Sequence, residues 1–103
     1  QAMFVMSSGL RSVRDKVLTY FQEVMEEHEM KFDRLYKAVN ALAVQIRTVA
    51  REDKDALTAS GLNFNLHCLV GGQMAKDKEH HLYLVYPEGN WVEVQQGTPY
   101  SII

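Results

Sequence analysis

Scarcity bounds this chain before any motif does. Cys68 is the single cysteine among 103 residues, so no intrachain disulfide can form, which fits a reducing compartment. Two prolines and six glycines are too few for a fibrous or proline-rich chain. No apolar run approaches the ~20 residues of a membrane-spanning helix. The first six residues are apolar but short and carry no basic leader, so no signal peptide is expected. Positive charge is not in excess either. Eleven Lys and Arg stand against thirteen Asp and Glu, and the isoelectric point is near 6.1. There is no electrostatic case for nucleic acid or an anionic membrane as partner.

What is present is a globular composition. With 47% hydrophobic and 23% charged residues, the chain is too apolar for a disordered tail. Its length allows one domain, residues 1–103. Such a chain buries only ~60–65% of its unfolded surface, so every part of the core matters. Both ends are apolar and extended, from Gln1 and to Ser101-Ile102-Ile103. That suits an internal piece of something longer, or terminal strands held in the chain's own sheet.

Hydrophobic spacing sets the expected order of elements. Ala2 to Met6 reads as a buried strand, with Ser7-Ser8-Gly9 turning into a helix. Leu10, Val13, Val17, Phe21, Val24 and His28 then recur at three and four residues, an amphipathic helix. Glu26, Glu27 and Glu29 crowd its C-terminal end, where the helix dipole disfavours them. A second helix runs through Phe32, Leu35, Val39, Leu42, Ile46 and Val49, with Asp33 as expected N-cap. Ala38, Ala41, Ala43 and Ala50 flank that stripe and permit close packing. The pattern weakens at the charged run Arg51–Asp55, and Gly61 suits the residue after the helix. Alternation then takes over. Phe64, Leu66, Cys68 and Val70 form one strand, and residues 80 to 95 form a hairpin whose turn is Pro87-Glu88-Gly89-Asn90. After the turn at residues 95–99, Tyr100 to Ile103 starts a last strand.

Few of the reactive side chains form a constellation. His67–Cys68 and His80–His81 are adjacent in sequence and point to opposite faces of a strand, so neither pair chelates one ion. Cys68 lies mid-strand among apolar neighbours, where an inert buried thiol is expected. The glutamates of the first helix read as a solvated face. Gly71-Gly72 has no following Lys-Ser or Lys-Thr to make a phosphate loop. The tyrosines and Trp91 lack interleaved arginines, so they read as core or interface. One feature remains. The Ser7-Ser8-Gly9 segment precedes a helix N-terminus, whose N–H groups and dipole favour an anion or a developing oxyanion.

Longer motifs carry a resemblance. The run from Phe64 to Gln73 with its Gly71-Gly72-Gln73 ending, the run Leu82 to Trp91 with Tyr86-Pro87-Glu88-Gly89-Asn90, and Thr98-Pro99-Tyr100-Ser101-Ile102, in this order, resemble the proteasome-type proteases of bacteria. The Anbu-like relatives of proteasome β-subunits are the nearest branch. The N-terminal strand and two long helices are similar to the first helical layer of that fold. The resemblance covers nearly all 103 residues.

It implies an α+β chain in the order strand-helix-helix-strand-strand-strand, part of the four-layer αββα sandwich of the N-terminal-nucleophile hydrolases. It also implies the central segment of a longer cytoplasmic subunit that forms rings or spirals with identical subunits, takes peptide or protein substrates and needs no cofactor. In that family an N-terminal threonine supplies the nucleophile and its own amine the base, aided by a lysine and an aspartate. A glycine N–H completes the oxyanion hole, and Gly9 matches it by position. The threonine, aspartate and lysine are expected before Gln1, and a supporting serine and aspartate after Ile103. Thr19, Thr48, Thr58 and Thr98 are internal and supply no free amine. The expectation is therefore a threonine-type peptidase subunit that is inactive as these 103 residues alone. The alternative is a non-catalytic assembly module of the same fold. A side chain at Gly9 is expected to crowd substrate while leaving the fold intact.

Overall fold

Strand β1 (Ala2–Gly9) comes first in the computed structural model, which describes residues 2–27 and 32–95. Two helices follow, α1 (Arg11–Glu27) and α2 (Leu35–Ala59), then strands β2 (Leu66–Gln73), β3 (His81–Val85) and β4 (Trp91–Glu93). The architecture is α+β, with one antiparallel sheet in spatial order β1-β2-β3-β4. His28, Glu29 and the expected strand from Tyr100 to Ile103 lie outside the described residues.

The pairing register assigns every strand residue to a face, because residues directly opposite in an antiparallel ladder share one. Val5, Val70 and Tyr83 align in one row, and Ser7, Cys68, Val85 and Trp91 in the next. These rows lie under the helices. Val13, Val17, Phe21 and Met25 of α1 recur every four residues and are buried against them. So are Leu35, Val39, Leu42, Ile46 and Val49 of α2. The opposite face carries Phe4, Gly71 and Leu82 in one row, and Met6, Leu69, Leu84 and Val92 in the next. No helix among the described residues covers it, and the molecule is 17 Å deep, the depth of one sheet and one helical layer.

Three local expectations are corrected here. β1 is not a buried strand ending at Met6. It is an edge strand among the described residues, with Phe4 50% and Met6 58% exposed, because a sheet covered on one side turns alternate residues of an apolar run outward. Ser7, Ser8 and Gly9 are not a turn, since they pair with Cys68, His67 and Leu66. Third, β2 starts at Leu66 and continues through both glycines to Gln73, leaving Phe64 in the preceding segment.

Helix α2 passes unbroken through the charged run because that run has partners on α1. The Lys16 ammonium lies 2.8 Å from Glu52 Oε1 and 3.0 Å from Asp53 Oδ1, and the Tyr20 hydroxyl donates to Glu52. The C-terminal end closes as the sequence suggested. Leu62 N–H donates to Leu57 O and Gly61 N–H to Thr58 O, the paired bonds of a Schellman motif.

The N-terminal end differs. Arg34 occupies the cap without a side-chain bond, and Asp33 instead pairs with Lys37 and Lys76. The capping acceptor comes from far along the chain. Asp77 Oδ2 accepts from Leu35 N–H at 3.0 Å and from Met74 N–H at 2.9 Å, with its side chain only 6% exposed. A carboxylate here also suits the helix dipole.

Asp77→Ala is expected to lower stability by about 1–3 kcal/mol, since it strands two buried N–H donors. Asp77→Asn, which keeps an oxygen acceptor, should cost less; urea unfolding of both variants checks the order. A pH dependence follows from His81. Its Nδ1 lies 2.8 Å from Glu93 Oε2, and this hydrogen bond raises the imidazole pKa above its ordinary value of 6.5. A raised folded pKa contributes stability that is complete below 6.5 and is lost as pH rises through the folded value. Unfolding midpoints measured across that window should fall for the native chain and stay flatter for His81→Gln.

Candidate functional site

The chain passes from sheet to helix through one residue. Gly9 ends β1, Leu10 N–H donates to Asn65 O at 3.0 Å, and Leu10 O accepts the first helical bond from Arg14 N–H. The Leu10–Asn65 bond fixes the direction of the preceding amide. Bonded and non-bonded pairs alternate along an antiparallel ladder, so Gly9, opposite Leu66, belongs to a non-bonded pair. Its N–H faces away from β2, off the edge of the sheet. The residue is exposed.

A glycine is required at this point. Gly9 has φ +144°, and a Cβ would collide with the carbonyl oxygen of Asn65. The expectation that a side chain here leaves the fold intact is therefore corrected: substitution strains the backbone as well as crowding the edge. The sequence pattern did not single out Asn65, because its contribution is a main-chain carbonyl that no side-chain spacing reveals. Directly after Gly9, α1 begins with no acidic residue in its first turn, so nothing there neutralises the positive end of the helix dipole.

The outer face of the sheet beside this end is partly polar. Ser8 is opposite His67, and the His67 ring meets the Tyr86 ring edge-on at 5.8 Å. At the other end of β1 lies an open groove of about 570 Å³, lined by Phe4, Gly71, Leu82, His80 and Val94 among others. The Phe4 ring packs over Gly71 in its wall, where a Cβ would strike it.

Several of the remaining reactive side chains are engaged or shielded. Thr19 and Thr48 hydroxyls donate to Asp15 O and Val44 O of their own helices. Thr58 lies exposed on α2, and Thr98 is outside the described residues. Cys68 is fully buried, and burial pushes its thiol up to about 11, so it holds no thiolate near neutral pH. His67 and Cys68 do point to opposite faces, one towards Tyr86 and the other into the core. Among the described residues no group of three or more His, Cys, Asp or Glu could hold a metal ion, and no helix is long and apolar enough to cross a membrane.

The Tyr86-Pro87-Glu88-Gly89-Asn90 motif has a structural explanation. Tyr86 N–H donates to Asn90 O and Gly89 N–H to Tyr86 O, closing the turn. Arg47 of α2 donates to Gly89 O at 3.1 Å. Gly89 takes φ +87°, and a Cβ there would meet the Arg47 side chain at 2.6 Å. Next to it, Trp91 Nε1–H donates to Asn40 Oδ1. The motif thus pins the β3–β4 hairpin to α2.

Comparison with known proteins gives one consistent result. No family model and no curated protein matches the chain. Solved structures do. Anbu (ancestral beta-subunit) from Yersinia bercovieri superposes with a TM-score of 0.77 at 30% sequence identity, over 94% of this chain and 40% of that one. The helical assembly of the Anbu complex from Pseudomonas aeruginosa gives 0.75 at 25% identity, over 94% and 41%. An Anbu mutant from Hyphomicrobium sp. strain MC1 gives 0.76 at 23% identity, a likeness of fold. The chain thus spans about 40% of the length of the Yersinia structure. Across the 94% that superposes, this is an Anbu-like, proteasome-related chain.

Proposed function

We propose that this chain is the central segment of a proteasome-like threonine-type peptidase subunit, in which Gly9 N–H donates to the oxyanion formed during acyl transfer. The observation that carries the reading is the direction of that amide: it leaves the ladder at the last residue of an edge strand, beside a helix N-terminus. A donor so placed is preorganised, and losing one typically costs ~10²–10³ in turnover. The nucleophilic threonine and its lysine and aspartate would come from polypeptide outside these 103 residues. So would a second sheet, packed on the face that carries Phe4, Met6, Leu69 and Leu82 to make the four-layer sandwich. An apolar sheet face of this kind needs a cover. Identical subunits in a ring or spiral, peptide or protein substrates and a cytoplasmic setting belong to the same reading. The helical arrangement of the Pseudomonas Anbu complex supports the assembly part of it.

A second reading is favoured by the side chains themselves. Thr19 and Thr48 are bonded to helix carbonyls and Cys68 is buried, so none of these three offers a free nucleophile. A non-catalytic assembly module would look the same. The two separate in a protein that carries this segment behind an N-terminal threonine.

Substitution at Gly9 strains the fold, so the test reads the amide directly. With the N-terminal threonine in place, a peptide boronate should form a covalent adduct that mimics the tetrahedral intermediate. The Gly9 amide proton should then move downfield in a ¹⁵N-resolved spectrum. An adduct that leaves this resonance unmoved removes Gly9 from the site, and absence of both adduct and turnover selects the assembly module. The 103-residue chain alone is expected to hydrolyse no fluorogenic peptide. Turnover by it that a threonine-directed covalent inhibitor abolishes would overturn the proposal.

A further inference from the structure

We propose that a basic groove on the flank of α2 docks the acidic C-terminal end of α1 from a second copy of the chain. The inference rests on the self-assembly reading above and names its two surfaces. Arg47, Arg51 and Lys54 follow at spacings of four and three, so their charges line one flank of the helix. Beside them lies a groove of about 390 Å³, whose lining also includes Ala50, Phe64, Pro87 and one carboxylate, Glu88, against the three cations. Arg47 is partly engaged by Gly89 O, and Arg51 reaches only the Thr48 hydroxyl. Among the described residues neither Arg51 nor Lys54 takes part in an ion pair.

The complement is on the same chain. Glu23, Glu26 and Glu27 are exposed at the end of α1, whose last turn holds no basic residue. Glu23 and Glu27 repel at i,i+4, and all three oppose the negative end of the helix dipole. Among the described residues none of them has an ion-pair partner. Lys16, the lysine of α1, is already taken by Glu52 and Asp53. A cationic groove from a neighbour would relieve this unfavourable arrangement, with glutamate methylenes against Phe64 and Pro87 and carboxylates on Arg51 and Lys54.

Placement makes the contact intermolecular. Glu52 and Asp53 mark the flank of α2 that faces α1, while Arg47 marks the flank that faces the β3–β4 turn. Two complementary patches on different flanks face different neighbours. Such a head-to-tail contact repeats, closing into a ring or running on as a helix.

Sedimentation of the full chain at low and high salt tests this, with two charge-reversed variants. Arg51→Glu/Lys54→Glu and Glu26→Lys/Glu27→Lys should each weaken self-association at least about tenfold, and an equimolar mixture of the two should recover it. The second variant improves the helix dipole interaction, so its loss of assembly would not come from unfolding. Native association should weaken as salt shortens the Debye length. Native assembly that survives both reversals overturns the docking proposal alone. A native chain that stays monomeric at low salt overturns the assembly reading, and the docking proposal with it.

Discussion

Everything in this structure is organised around α2, which lies across the sheet with Leu35, Leu42, Ile46 and Val49 removed from water altogether. Full burial of side chains of this kind contributes roughly 1.5–3 kcal/mol each, and α2 supplies more of them than any other element. A helix of 25 residues positioned by apolar contact alone could slide along its axis. Three polar ties prevent it: Asp77 on its first turn, Asn40 and Arg47 on the β3–β4 hairpin, and the Lys16 pairs with α1. These ties join segments far apart in sequence and fix where each strand lies.

The position of Gly9 is a consequence of that arrangement. With α2 fixed on β2 and β3, and α1 fixed on α2, only a short path leads from the edge strand to the start of α1. Leu10 makes that connection alone, held by Asn65 O. The close approach to Asn65 excludes a side chain at Gly9, and the ladder alternation turns its N–H outward. A backbone donor held by this much surrounding structure is rigid without any side chain to support it.

The two faces of the sheet show a division of labour. One is closed by helices, with Cys68 and Val70 almost without exposure. The other carries Phe4, Met6, Leu69 and Leu82 in the open or half-covered, along with the groove that Phe4 and Leu82 line. An apolar face this continuous is rare on a chain that functions alone. It is in keeping with a chain that spans about 40% of its Yersinia structural neighbour.

The sequence by itself determined the element order, both helices, the hairpin and the Gly61 stop, because each depends on local periodicity or turn chemistry. The Tyr86–Asn90 and Gly71-Gly72-Gln73 motifs were legible for the same reason: they are short and contiguous. Tertiary structure alone decided the rest. Ser7 to Gly9 had the composition of a turn, but pairing with β2 made them strand. Asp33 had the position of a cap, but Asp77, 42 residues beyond Leu35, took that place. Which half of each alternating strand met the helices was also undecided in sequence, since Leu66 and Leu69 are equally apolar and one slip of register would exchange them. Burial beneath α2 made that choice. The direction of the Gly9 amide followed from it, because a backbone N–H points where the ladder phase sends it and no side-chain pattern records that phase.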